Sequence, residues 1–220
     1  MHAGRMVLAP DGLRVAGKAQ YMFKNIIFDV GDTLISFGYR PYMHNLGFDD
    51  ATVDFLTDNM IFTDFWKELD AGKRNVSEAC AYFCEKYPDL KNEISLFWEN
   101  IADIVSEYDF SYPLIMSLKE KGYKVFLLSN YPEELAKVHW TKFSFFKEMD
   151  GYIISAKVGM IKPDERIYRI LMDRYRMHPE ECIFVDDNPD NIEAAKKLGI
   201  TAIQFTGYEN LQKEFEKLKI

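Results

Sequence analysis

The stretch Asn25-Ile-Ile-Phe-Asp-Val-Gly-Asp-Thr-Leu-Ile35 decides the fold, because it joins an apolar run to closely spaced oxygen-bearing side chains. Residues 26–28 are apolar throughout, which is typical of a strand buried on both faces of a parallel sheet. Asp29 follows at once, Gly31 loosens the backbone, and Asp32 adds a second carboxylate. A buried carboxylate is costly unless a metal ion or a chemical role compensates it. Because ligands bind at the carboxyl ends of parallel strands, Asp29 is a candidate nucleophile or metal ligand, although an Asp that caps a turn fits this segment equally well.

The second half of the chain alternates between strand and helix patterns. Buried strand patterns lie at 123–128, 151–154, 182–185 and 200–205, and helical patterns begin near Ser111, Pro132, Pro163 and Pro189, with a last one over 211–218. Such alternation predicts an α/β fold, a doubly wound parallel sheet with helices on both faces.

Between the first two strands the pattern is helical. Residues 36–42 read as an irregular aromatic stretch, and four helices are expected between about 48 and 108, with helix starts near Asp49, Thr63 and Asn75. We therefore expect a small all-helical unit inserted into an α/β core. The predicted ranges are 39–108 for the insertion and 22–38 with 109–220 for the core.

Composition excludes several classes of protein. The 220 residues are 48% hydrophobic and 28% charged, with a formal net charge of −8, so a broad basic surface for nucleic acid is not expected. No apolar stretch is long enough to span a bilayer. Three cysteines without a disulfide framework favour a cytoplasmic protein, and Cys80 and Cys84 are interpreted as core packing rather than as a metal pair. Residues 1–21 have no periodicity, and we expect a disordered leader there.

Polar side chains follow three of the predicted strands. Asp29 ends the first strand, Ser129 the second, and the pair Asp186 and Asp187 the fourth, while Lys162 precedes a helix-opening proline. Each of these residues alone also fits an ordinary role, such as an acid at a helix start or a surface lysine. Together they predict a cluster of carboxylates, a hydroxyl and an ammonium at one sheet edge. Oxygen ligands without Cys or His favour Mg²⁺, and Asp29 could then attack a phosphoryl group to form an aspartyl phosphate.

These motifs, in this order, resemble those of the haloacid dehalogenase superfamily of hydrolases. The corresponding segments are Asp29-Val-Gly-Asp-Thr33, Leu-Leu-Ser129-Asn130, Lys162-Pro163-Asp164 and Val-Asp186-Asp187-Asn188, and the resemblance runs from about residue 23 to the end. It implies a Rossmann-like core with a helical cap inserted after the first motif. It also implies a Mg²⁺-dependent phosphohydrolase acting on small phosphorylated metabolites, and the chain resembles sugar-phosphate phosphatases of the alpha-D-glucose-1-phosphatase type.

Residue roles follow from the resemblance by position. The implied metal ligands are Asp29, the backbone carbonyl of Gly31, Asp187 and, directly or through water, Asp186. The implied catalytic residues are Asp29 as nucleophile, with Ser129 and Lys162 holding the phosphoryl group. Asn130 is a further candidate for substrate binding, and Asn191 takes the place of an acid that supports the site.

One position departs from the family pattern. The family's phosphatases carry a general acid two residues after the nucleophile, where this chain has Gly31. Leaving groups that need little protonation, such as that of a sugar 1-phosphate, are therefore expected to be preferred. The same departure keeps open a dehalogenase that attacks carbon without metal, and a non-catalytic phosphate-binding regulatory module. The acidic pair at 186–187 argues against the first alternative, and the intact set of motifs argues against the second.

Overall fold

A computed structural model describes residues 23–220, and the expected leader at 1–21 lies outside the described residues. The core is a five-stranded parallel sheet in the order β5-β4-β1-β6-β7. Its strands are β1 (Asn25–Phe28), β4 (Lys124–Ser129), β5 (Gly151–Ile154), β6 (Cys182–Asp186) and β7 (Thr201–Gln204). In register, Phe28 of the central strand lies opposite Leu127 on one side and Val185 on the other. The strand ends that carry polar residues are therefore neighbours.

Helices cover both faces of this sheet, so the prediction of a doubly wound α/β fold is confirmed. The helices of the core are α6 (Ser111–Glu120), α7 (Glu133–Lys142), α8 (Ser155–Val158), α9 (Glu165–Tyr175), α10 (Pro189–Lys197) and α11 (Tyr208–Leu218). One face of β1 contributes Ile27 to an apolar cluster with residues of α9 and α10. The other face contributes Ile26 and Phe28 to a second cluster, with residues of α6, α7 and α11. Alternate side chains of one strand thus serve two cores.

Five α-helices lie between residues 39 and 99. They are α1 (Tyr39–Asn45), α2 (Asp50–Leu56), α3 (Asp64–Asp70), α4 (Val76–Lys86) and α5 (Lys91–Glu99), with a π-helical turn at Thr57–Ile61. The expected start at Asn75 is present as a reciprocal capping box with Glu78. Phe83 and Phe97 are buried inside the segment, in the same apolar cluster as Phe28. Among the described residues, no helix is long and apolar enough to cross a membrane.

Two predictions for this segment are wrong. The stretch at 36–42 is not irregular, because it holds the end of strand β2 (Ile35–Phe37) and the start of α1. The predicted helices do not continue to 108: α5 ends at Glu99, and strand β3 (Val105–Glu107) pairs antiparallel with β2. The inserted unit is therefore not all-helical. Each strand is only three residues long and finds its partner far away in sequence, so neither produces a periodic pattern of its own.

Candidate active site

The carboxyl ends of three adjacent strands bring the predicted residues together. Asp29 follows β1, Ser129 ends β4, and Asp186 ends β6, with Asp187 next to it. One carboxylate oxygen from each of Asp29, Asp186 and Asp187 lies within 4.8 Å of the others. The buried strands force this proximity, because β1 is paired with β4 on one side and with β6 on the other.

Lys162 is the cation of this cluster. Its Nζ lies 2.8 Å from Asp29 Oδ1 and 2.7 Å from Asp186 Oδ2, and the residue is buried. Burial opposes the charge, but Asp29 and Asp186 outweigh burial and raise the pKa of the Lys162 ammonium. Asn130 fixes the Lys162 backbone, since its amide donates to the Lys162 carbonyl at 3.0 Å and accepts from the Lys162 N–H at 2.7 Å. Both ends of the Asn130 side chain are thus occupied, and its contact with substrate stays a prediction.

Asp186 and Asp187 have different surroundings. Both oxygens of Asp186 are engaged, by the Asn188 N–H at 2.8 Å, by Asn191 Nδ2 at 3.0 Å and by Lys162. Asp187 is only partly buried. Burial raises the pKa of the Asp187 carboxyl to about 6, and the charges of Asp186 and Asp32 add to this effect. Because the Asp186 oxygens are already bonded to Lys162, Asn188 and Asn191, Asp187 would be the better-placed metal ligand of the pair.

The donor set fits a magnesium ion. Asp29 is buried, and burial raises the pKa of its carboxyl, with Lys162 acting in the opposite direction and Asp186 and Asp187 adding to the rise. Such a cluster of hard oxygen donors is what Mg²⁺ prefers, and a divalent cation would relieve the repulsion among the three carboxylates. Asp29, Asp187 and the Gly31 carbonyl would hold the ion.

Ser129 has a buried hydroxyl that is available to bind a ligand. Its Oγ is buried and has no hydrogen-bond partner among the described residues. Buried hydroxyls are almost always paired, so an unpaired one at the end of a strand needs an explanation. A phosphoryl oxygen held beside Asp29 would provide the missing partner.

A cavity of about 200 Å³ reaches the predicted site at Gly31, Asn130 and Asp187 and is lined by residues from both parts of the chain. Its polar lining comprises Gly31, Asp32, Asp70, Asn130, Tyr131, His139 and Asp187, and its apolar lining comprises Ile35, Phe37, Trp66, Ile104, Val105, Pro132 and Leu135. Trp66 and Asp70 come from α3, in the inserted segment. The cavity therefore lies where the inserted helices meet the sheet edge.

Sequence reasoning missed Asp70, the last residue of α3. Burial raises the pKa of the Asp70 carboxyl to about 7, the charge of Asp29 adds to the rise, and Lys162 opposes it. The Asp70 backbone carbonyl accepts a hydrogen bond from Ser155 Oγ, which ties the end of α3 to the core. The one available signal was an acid at a helix C-terminus, where the helix dipole disfavours a negative charge.

His139 also lines this cavity. It is fully buried, with Nδ1 bonded to the Tyr131 hydroxyl and Nε2 at 2.8 Å from the Ala102 carbonyl. Burial lowers the pKa of the His139 imidazole. The neutral ring thus links α7 to the loop before β3.

With this fold and site, the chain belongs to the haloacid dehalogenase-like hydrolases, and the match to that family covers residues 23–199. D-ribitol-5-phosphate phosphatase of Bacteroides thetaiotaomicron is 29% identical over 83% of this chain and 92% of its own length. (S)-2-haloacid dehalogenase 4A of Burkholderia cepacia is 26% identical over 72% of this chain and 66% of its own length. Both a phosphatase and a dehalogenase are therefore among the relatives.

Other similarities concern the fold or only part of a relative. The structure of a haloacid dehalogenase family enzyme from Bacteroides thetaiotaomicron, in complex with magnesium and inorganic phosphate, superposes with a TM-score of 0.62 at 22% identity, over 83% of this chain and 93% of that one. Bifunctional epoxide hydrolase 2 of Sus scrofa is 28% identical over 52% of this chain, and the match spans only 22% of that longer protein.

Proposed function

We propose that this protein is a Mg²⁺-dependent phosphomonoesterase that acts on small phosphorylated metabolites, sugar phosphates among them, through an aspartyl-phosphate intermediate. The observation that carries the proposal is the cluster of Asp29, Asp187 and Lys162 beside the Ser129 hydroxyl, which has no hydrogen-bond partner in the described part of the chain. The relative that acts on D-ribitol 5-phosphate supports it.

Asp29, Lys162 and Ser129 have different roles in the proposed reaction. Asp29 attacks phosphorus, and the bond between phosphorus and the leaving oxygen breaks. Lys162 and Ser129 hold the other phosphoryl oxygens and stabilise the charge in the transition state. A water molecule then attacks phosphorus, the bond to Asp29 breaks, and phosphate leaves. When bound, Mg²⁺ would neutralise phosphoryl charge next to Asp29.

We further propose that residues 39–108 act as a cap over a core made of 22–38 and 109–220. Trp66 and Asp70 of α3 line the same cavity as Gly31 and Asp187, which supports a site closed from the cap side. Closure would exclude water while the phosphoryl group is transferred.

A dehalogenase remains the rival from the same family, because it shares the aspartyl nucleophile and the family also includes a dehalogenase relative. The clustered carboxylates favour the phosphatase, since attack on carbon does not need a divalent cation. A phosphate-binding regulatory module is the alternative without catalysis.

Release of phosphate and of halide separates these possibilities. We expect phosphate release from a panel of sugar phosphates with Mg²⁺, none in excess EDTA, and no chloride release from 2-chloropropionate. Asp29→Asn should lower turnover by more than about 10³-fold, because it removes the nucleophile, while circular dichroism stays unchanged. Chloride release without metal would identify a dehalogenase, and a folded, Mg²⁺-loaded protein that releases neither would identify a binding module.

A further inference from the structure

The cavity beside Asp29 contains an acid that the family motifs do not account for. At Gly31, where the family's phosphatases carry their general acid, this chain has no side chain, yet Gly31 lines the cavity together with Asp70. Proton donation to a leaving group contributes about 10²–10⁴-fold to rate, so an active enzyme needs a replacement or a substrate that does without one.

Asp70 is positioned for that role by its own helix and by the core. It ends α3, and Ser155 of the core holds its backbone carbonyl. Burial and the charges of Asp29 and Lys162 determine the pKa of the Asp70 carboxyl. In the described part of the chain, this carboxyl forms no hydrogen bond that would affect its pKa. The carboxyl group is therefore not used in holding the fold together.

The other candidate proton donors in the cavity already form hydrogen bonds within the protein. Asp32 Oδ1 accepts the Phe37 N–H at 2.9 Å. The Tyr131 hydroxyl and both nitrogens of His139 are hydrogen-bonded to one another and to Ala102. Of the acids lining the cavity, Asp187 is assigned to the metal site, which leaves Asp70.

We propose that Asp70, contributed by the inserted segment, is the general acid and base of the reaction; this rests on the proposed phosphatase function. As Asp29 forms its bond to phosphorus, the Asp70 carboxyl gives its proton to the leaving oxygen, which departs as an alcohol. The Asp70 carboxylate then takes a proton from the water that attacks the aspartyl phosphate. Phosphate is released, and both residues return to their starting states. Burial of Asp70, which raises its pKa to about 7, keeps the proton available near neutral pH.

The test compares two leaving groups with Mg²⁺ present. Glucose 6-phosphate needs protonation of its leaving oxygen, whereas p-nitrophenyl phosphate does not. Asp70→Asn should lower kcat/KM for glucose 6-phosphate by about 10²–10⁴-fold and that for p-nitrophenyl phosphate by less than about tenfold. Because the second step also loses its base, p-nitrophenol should appear as a burst followed by slow turnover. Asp64→Asn, at the exposed start of the same helix, and Asp32→Asn should show neither leaving-group selectivity nor a burst.

A rescue experiment completes the design. A Cβ built on Gly31 meets no atom within 4 Å, so a side chain is sterically acceptable there. Once Gly31→Asp alone is shown to hydrolyse p-nitrophenyl phosphate, the Asp70→Asn/Gly31→Asp variant should recover at least about tenfold on glucose 6-phosphate over Asp70→Asn. The assignment would be overturned if Asp70→Asn lowered kcat/KM equally on both substrates or left hydrolysis of glucose 6-phosphate unchanged. It would also be overturned if the double variant hydrolysed p-nitrophenyl phosphate without recovering activity on glucose 6-phosphate. If the wild type releases phosphate from neither ester nor from the sugar-phosphate panel, the proposed function itself fails.

Discussion

At the scale of single residues, hydrogen bonding distinguishes buried polar groups that stabilise the fold from buried polar groups that bind a ligand. The buried Ser111 hydroxyl donates a hydrogen bond to the Leu34 carbonyl at 2.6 Å, inside the protein. Ser129 Oγ is equally buried and has no partner among the described residues. Removing a hydroxyl that makes no hydrogen bond within the protein should change the stability of the protein only slightly.

Ser129→Ala should therefore reduce activity and leave stability nearly unchanged. We expect the free energy of unfolding to stay within about 1 kcal/mol of the wild type, since the variant breaks no hydrogen bond within residues 23–220. The value of kcat/KM for phosphate esters should fall by about 10²-fold, the usual effect of removing one donor to developing charge. Urea unfolding measures the stability of the variant, and phosphate release measures its activity. A large loss of stability would show instead that the hydroxyl serves the fold.

His139 should make stability depend on pH. The lowered pKa of the folded-state imidazole means that the unfolded chain takes up a proton first, as pH falls below about 6.5. Protonation then favours unfolding, so the stabilisation present at neutral pH is lost as pH falls through 6.5. His139→Ala should cost about 2–4 kcal/mol at pH 7.5, because it leaves the Tyr131 hydroxyl and the Ala102 carbonyl unpaired.

The difference in unfolding free energy between wild type and His139→Ala should shrink at pH 5.5. Urea titrations of both proteins in EDTA, at the two pH values, measure it. Acidic groups elsewhere affect both proteins alike and cancel in the comparison. A difference that is the same at both pH values would contradict a buried neutral imidazole.

At the scale of elements, the junction between α3 and the core controls the position of Asp70. Gly72 follows α3 with φ +69°, and a Cβ built there would lie 2.5 Å from the Ala156 carbonyl oxygen in α8. Main chain from the inserted segment and from the core thus approach so closely that only glycine fits between them.

Gly72→Ala should displace the end of α3 and, with it, Asp70. We expect a loss of stability above the roughly 1–2 kcal/mol that a left-handed alanine costs by itself, and a fall in kcat of about tenfold. Gly47→Ala is the matched control, because Gly47 has φ +90° and open space around a Cβ. It should show the backbone cost alone, with kcat unchanged. Equal effects of both substitutions on kcat and on unfolding would mean that the contact with Ala156 is unimportant.

The same junction marks the limit of what the sequence could predict. The ends of β1, β4 and β6 were predictable, because an apolar run followed by an acid or a hydroxyl is a local pattern and parallel strands align such ends. The pairing of β2 with β3 was not, because each strand is three residues long and its partner is distant. Asp70 was missed for a related reason: its position in the cavity depends on how α3 packs against the core, and no motif around residue 70 encodes that packing.

At the scale of the whole molecule, charge poses a problem for a phosphorylated substrate. The formal net charge is −8, and the cation at the centre of the site, Lys162, already contacts Asp29 and Asp186. A dianionic ester that approaches Asp29 would meet carboxylates on the protein side. A divalent cation bound before the substrate would cancel the net negative charge of these carboxylates and Lys162.

Magnesium should accordingly stabilise the protein in the absence of any substrate. A ligand present at 100 times its Kd and bound only by the folded state adds about 2.7 kcal/mol to the free energy of unfolding. We expect a rise of this order on saturation with MgCl₂, compared with NaCl at equal ionic strength, because salt screening alone also weakens carboxylate repulsion. Asp187→Asn should remove most of the rise by deleting a ligand. Asp190→Asn, an exposed acid on α10 just beyond the cluster, should keep it. Urea unfolding with each salt measures all three proteins. If Mg²⁺ and Na⁺ give the same stability in the wild type, the carboxylates at 29, 186 and 187 do not form a specific site for the ion, and the catalytic use of that cluster would need another explanation.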